Sequence, residues 1–454
     1  MSLPLPSASP ALLDSVREHA AAAETAWRSG NPAQLGDGLR ACDAALTLVQ
    51  SAAVAPGGDQ PLVLPVALGE VAQHVWLQRG HMLDALASVN GESKWVVEAL
   101  RSYDQALGMG RQLGASVGFM AVAWISRGKG LQRLGSPEAL TEALRCYDET
   151  IALVGAPDAG QALPLELANT LGAAWMGRAG LLQRRGELAG PQGAEQALDQ
   201  AVVCLQAGGD LPMARRNLAS AWTNLGLVRQ GNGQAAAAVE AQAQARAIIE
   251  TVFAVEPEAL RVERATILLN LGQAQCAMHD TVAGLANLRE AISSAAARAA
   301  QDPSAADTVL RARHALGVTL GAQLAAAAPD EPTRSAWLAE AGDAVEEGLA
   351  LLTAWGERAE WFAAIGNRLY DFGAWFYRTQ QPQFLGEFLV EHLGQDPQRA
   401  KIAAAAVQAT RDAITQRSFS GLAHDAMERA LDVLQAMTEV EARLKALAVP
   451  AAGS

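Results

Sequence analysis

AWTNLGLVRQGNGQAAAAVEAQAQA (residues 221–245) contains the fold in miniature. A large apolar residue, Trp222, is followed four positions later by Gly226, and Ala238 and Ala245 stand sixteen and twenty-three residues after the tryptophan. Alanine is the best helix former, and the Gly-Asn-Gly between the two runs breaks a helix. The stretch therefore reads as helix A, turn, helix B. The small positions let helix B pack close to the backbone of helix A while the tryptophan fills the adjoining gap.

The same phrase recurs along the chain. It appears as Trp76–Gly80, Trp124–Gly128, Leu268–Gly272 and Leu369–Gly373. Trp175 opens a degenerate copy with Ala179 at the small position, and Gly317 marks another that starts at Arg313. From Trp76 to Leu268 the steps are 48, 51, 47 and 46 residues, and the later small-residue steps are 45 and 56. A second element follows most copies: EALRSYDQAL (98–107), EALRCYDETIAL (142–153), EQALDQAVVCL (195–205) and AGLANLREAI (283–292). Each carries apolar or small residues at i, i+3, i+4 and i+7, one face of an α-helix. LGSPEAL, AMHDTVA and RTQQPQF supply the punctuation between helices. A lone pair cannot bury both its faces, whereas stacked pairs bury a continuous core between neighbours.

The pattern resembles the tetratricopeptide repeat (TPR) family, through WTNLG (222–226), LLNLG (268–272, with Gly284 and Ala291) and LYDFG (369–373, with Leu385 and Pro397). The period is longer than the family's ~34 residues, which fits prolonged helices and long loops such as AVAPGGDQPLVLP (53–65). The resemblance implies an all-α, right-handed solenoid of stacked antiparallel helix pairs. About eight pairs are expected over 10–397, C-terminal capping helices over 398–447, and flexible termini at 1–9 and 448–454.

Composition narrows the function. Half of the residues are hydrophobic and only 5% aromatic, with no alternating strand pattern. The net charge of −13 argues against phosphate-neutralising binding, so no nucleic-acid partner is expected. Cys42, Cys146, Cys204 and Cys276 form no CxxC pair and read as buried reduced thiols. The N-terminus has neither a basic nor an apolar signal region, and no apolar run is long enough to span a bilayer. A cytoplasmic protein without membrane insertion is expected. His74 and His81 are seven residues apart, about 10.5 Å along a helix, too far to share a metal ion. No HExxH, GxSxG or phosphate-loop motif occurs, so no catalytic residue, metal or cofactor is expected.

The resemblance also implies where a partner sits. The A helices line the concave face, with groove positions at one, two, five, eight and nine residues after the large apolar residue. These hold Gln78, His81 and Asp84, then Lys129, Gln132 and Arg133, then Gly180, Gln183 and Arg184, then Asn224 and Gln230, then Asn270 and Gln273. Asn224 and Asn270 share one position in consecutive repeats, where an amide offers both donor and acceptor to a peptide backbone. Lys129 and Arg133, at i and i+4, form a basic stripe with Arg184 suited to an acidic or C-terminal carboxylate segment. The reading is a scaffold or adaptor for a protein or peptide. Residues 355–388 hold ten of the chain's 22 aromatics and read either as a bulky local core or as an exposed anchor through Trp361, Tyr370, Trp375 and Tyr377. The anchor would suit a subunit docked in a larger complex; a small-ligand or peptide sensor is the other alternative.

Overall fold

The computed structural model describes residues 9–29, 31–52, 64–90, 92–155, 163–326, 329–356 and 424–448, with single positions between 390 and 415. Among them every regular element is a helix. The first compact unit, Met1–Gly233, contains α1 (Pro10–Arg28), α2 (Pro32–Ser51), α3 (Val66–Asn90), α4 (Ser93–Leu113), α5 (Val117–Leu134), α6 (Pro137–Val154), α7 (Leu165–Arg184), α8 (Ala194–Ala207) and α9 (Pro212–Gly231). The second, Gln234–Ser454, contains α10 (Ala235–Phe253), α11 (Pro257–Ala277), α12 (Thr281–Ala296), α13 (Pro303–Ala326), α14 (Glu331–Gly356) and α15 (His424–Leu447).

The turn LGSPEAL shows how sequence sets the element ends. Gly135 adopts φ 72° and stops α5 in the left-handed conformation that glycine tolerates best. The Ser136 hydroxyl then accepts from the backbone N–H of Ala139 at 3.2 Å, and Pro137 opens α6 where no N–H is needed.

In the first unit α1 packs on α2, α3 on α4, α5 on α6 and α7 on α8, and each pair then packs on the next. The odd-numbered A helices also touch one another in sequence, from α1 to α9. Among the described residues the even-numbered B helices make no comparable contact with each other. The A helices are thus the tighter layer of a stack of helix pairs. In the second unit α11 with α12 and α13 with α14 repeat the arrangement, and α11 touches α13. On α15 the buried Glu441 accepts from Lys445 one turn away at 2.5 Å and also from Arg411.

The small residue of the phrase faces a ring at Gly80 and Gly128 and a backbone at Gly272. Tyr103 and Tyr147, 1% and 0% exposed, project from the B helices onto A-helix glycines. A Cβ at Gly80 would lie 2.3 Å from Tyr103, and one at Gly177 would lie 2.4 Å from Tyr147. At Gly272 the obstacle is the carbonyl oxygen of Gly284, 2.9 Å away, so the backbones of α11 and α12 approach directly. Gly80→Ala is therefore expected to destabilise the first unit by about 1–3 kcal/mol, although alanine is the better helix former. Urea denaturation checks this; unchanged stability would mean that Tyr103 moves aside at no cost.

Candidate functional site

Lys129, Gln132 and Arg133 on α5 and Gly180, Gln183 and Arg184 on α7 line one open groove of about 730 Å³ between consecutive A helices. The i, i+4 spacing of Lys129 and Arg133 aims both at it, and Gln183 and Arg184 close the last turn of α7. Gln132 stitches the floor. Its amide donates to the Gly177 carbonyl at 3.4 Å and its oxygen accepts from the Tyr147 hydroxyl at 2.7 Å. Gly180 leaves open space, because a Cβ there would meet nothing within 4 Å. Among the described residues neither Lys129 nor Arg184 has a carboxylate within ion-pairing distance. Arg133 does: its Nη1 lies 2.9 Å from Asp84 Oδ1 and donates to the Asp84 carbonyl at 2.6 Å.

His81 sits beside this cluster but is inserted into the packing. It stacks on Trp27 at 5.7 Å, tilts against Tyr103 at 5.7 Å and bonds to Ser126 Oγ at 2.9 Å. Burial, and then the Lys129 charge, push its pKa down to about 4, so the neutral imidazole is the stable form. Burial also raises the pKa of Asp84, against the opposing pull of Arg133 and Lys129.

The other expected groove residues are not among those that line it. Gln78 is half-buried with an unpartnered Oε1, Asn224 and Gln273 are half-buried, and Gln230 is exposed. Asn270 departs from the expected placement: it is only 2% exposed, and its Oδ1 has no hydrogen-bond partner. Burial in the packing around α11 removes it from the surface, so it is no accessible peptide clamp. The aromatic positions Trp361, Tyr370, Trp375 and Tyr377 lie outside the described residues.

A repeated device went unread in the sequence. WLQR (76–79), WISR (124–127) and WMGR (175–178) share Trp-x-x-Arg. In each the arginine lies against its own tryptophan, at 5.7, 5.9 and 5.7 Å from the ring centre. Each Nε donates to an aspartate on the preceding B helix: Asp43 at 2.7 Å, Asp104 at 2.7 Å and Asp148 at 3.0 Å. Each Nη1 reaches forward, to Ser102 at 2.8 Å, Glu142 at 2.8 Å and the Gln192 carbonyl at 3.4 Å. Arg79 and Arg127 thus clasp three successive helices, Arg178 joins α6, α7 and the connection before α8, and the aspartates follow Cys42, Tyr103 and Tyr147 in the sequence. In the next repeat the position holds Leu225, and Arg229 takes over with Glu195 and Asp199.

No protein-family model matches the chain. No curated protein matches it in sequence. Solved structures resemble it in fold. BtubC (BKLC) from P. vanneervenii is 16% identical, with 64% of this chain and 92% of that chain covered at a TM-score of 0.39. The TPR2AB domain of yeast Sti1, solved as a complex with pHSP90, is 13% identical, with 66% and 98% covered and a TM-score of 0.24. A monomeric mutant of IFIT1 with Gppp-AAAA is 13% identical, with 95% and 90% covered and a TM-score of 0.34. The stacked antiparallel pairs with A-to-A packing stand on the coordinates themselves. The fold is TPR-like.

The IFIT1 structure corrects one expectation. A capped oligonucleotide bound to a helical-repeat chain overturns the exclusion of nucleic acid drawn from the net charge. The physical reason is that net charge averages over the surface, while binding follows local charge, and the groove at Lys129, Arg133 and Arg184 is basic within an acidic chain. Among the described residues no helix is long and apolar enough to cross a membrane, and no cluster of His, Cys, Asp or Glu could hold a metal ion.

Proposed function

We propose that the chain is a binding scaffold whose α5–α7 groove holds an acidic segment of a protein partner. The observation that carries this reading is the pair of cations, Lys129 and Arg184, that face an open groove and form no ion pair among the described residues. In the same unit Arg79, Arg127, Arg178 and Arg229 hold carboxylates, while Arg111 lies over the Trp124 ring and Arg185 bonds to Thr141. A protein with net charge −13 that keeps two cations unpaired in one concavity offers a specific place for negative charge. Gln183 adds an amide able to donate and accept, which suits a peptide main chain. Gly180 lets that main chain approach α7 closely, since it gives up helix propensity without any packing need for a missing Cβ.

The test uses a fluorescein-labelled peptide of consecutive glutamates and anisotropy at low salt. Lys129→Glu with Arg184→Glu is expected to weaken binding by at least about tenfold, each reversal replacing attraction with repulsion. Gly180→Leu is expected to block the groove while leaving thermal stability near wild type, because its side chain enters open space. Equal binding by wild type and both variants would place the peptide elsewhere. A labelled single-stranded oligonucleotide that binds through the same residues when the peptide does not would reassign the groove.

A further inference from the structure

We propose that Asp84 is a built-in competitor for the groove: its carboxylate neutralises Arg133 and sets how strongly the site holds an acidic ligand. The inference rests on the reading of the α5–α7 groove as an anion-accepting site.

Three cations line the groove, and among the described residues only Arg133 has a carboxylate within ion-pairing distance, while Lys129 feels the same Asp84 charge from farther away. That carboxylate comes from α3, the preceding A helix, so it is fixed by a different element from the cation it neutralises. The two side chains differ in freedom. Asp84 is 20% exposed and sits against the α3–α5 packing, while Arg133 is 39% exposed and lines the groove. Asp84 meets Arg133 at two atoms, the main-chain carbonyl through a hydrogen bond and the buried Oδ1 through charge alone. The Nη1 donates to the main-chain carbonyl at 2.6 Å and lies 2.9 Å from Oδ1. The carbonyl contact orients the guanidinium whatever residue stands at 84. The carboxylate therefore contributes mainly charge, and it does so from a partly buried place where screening is weaker than at the surface. Burial raises its pKa, so its ionised form is kept at a cost that the groove cations offset in part.

An incoming acid group meets Arg133 through the guanidinium edge that Asp84 leaves open, and feels the Asp84 charge behind it. The charge lowers affinity and disfavours the most acidic ligands. A binder tuned in this way releases its partner faster than an all-basic groove would.

The experiment measures the glutamate peptide against the full chain carrying Asp84→Asn, which keeps the shape and the main-chain carbonyl. Affinity is expected to rise about fivefold, the scale of one partly screened charge, with a steeper loss on adding salt. In the Arg133→Gln background the same substitution is expected to gain less, because only the direct repulsion and the effect on Lys129 remain. Weaker binding by Asp84→Asn would make Asp84 a positioning group and overturn the proposal, as would a gain undiminished without Arg133. If wild type itself fails to bind, or binds equally after Lys129→Glu with Arg184→Glu, the groove reading fails. If wild type binds through those cations and Asp84→Asn adds nothing, only the competitor role fails.

Discussion

Trp124→Ala is expected to remove about 3–5 kcal/mol from the stability of the first unit, the cost of deleting a large buried aromatic whose site cannot collapse. The ring is 7% exposed and packs in a cluster with Tyr103, Leu131 and Tyr147. Arg111 lies 5.1 Å from it and Arg127 5.9 Å, so the variant also strips an apolar support from the clasp that joins α4, α5 and α6. Hydrogen exchange in α4–α6 isolates this core from the rest of the chain. A loss under about 1 kcal/mol would show that the tryptophan is not a wedge between helices. Trp222, half-buried at the equivalent position, is expected to cost less, and Trp27, 39% exposed, less again.

Stability is also expected to fall by up to about 3 kcal/mol between pH 6.5 and pH 4 because of His81 alone. Its folded pKa, about 4, lies below the unfolded value of 6.5. In that window the unfolded chain binds the extra proton, so the contribution is complete above the unfolded pKa and lost as pH falls toward the folded one. Asp84 acts with the opposite sign, since a raised carboxylate pKa favours the folded state on protonation. The decisive comparison is urea denaturation of wild type and His81→Gln at about pH 7 and about pH 4.5. The variant should show the shallower pH dependence; parallel losses would place the sensitivity in other groups.

The helix pairs were legible where two signals agree at a boundary. In LGSPEAL, glycine, serine and proline each have one local reason to stand where they do, and none depends on the rest of the fold. The basic stripe was legible for a similar reason: Lys129 and Arg133 share a helix face, and α5 and α7 are successive A helices, so the register alone joins them to Arg184. Asn270 was not legible, because whether a position of a shared register is buried depends on local packing that the register does not reveal. The arginine clasps could have been found from Trp-x-x-Arg and the aspartate after Cys42, Tyr103 and Tyr147. Matching large apolar and small residues, the phrase that reveals the repeat, passes over the polar positions between them.

The clasps have a consequence for how such a chain can change length. Arg79, Arg127 and Arg178 grip aspartates at one recurring place on α2, α4 and α6. The joints are interchangeable: loss of one whole module between Asp104 and Asp148 would bring Arg178 opposite Asp104, a partner of the same chemistry in the same register. Modules can thus be added or dropped as units without redesigning their neighbours, whereas a cut within a module leaves an arginine facing no acid. The uneven spacing of the repeats is compatible with this, because insertions gather in the connections and leave the joints intact.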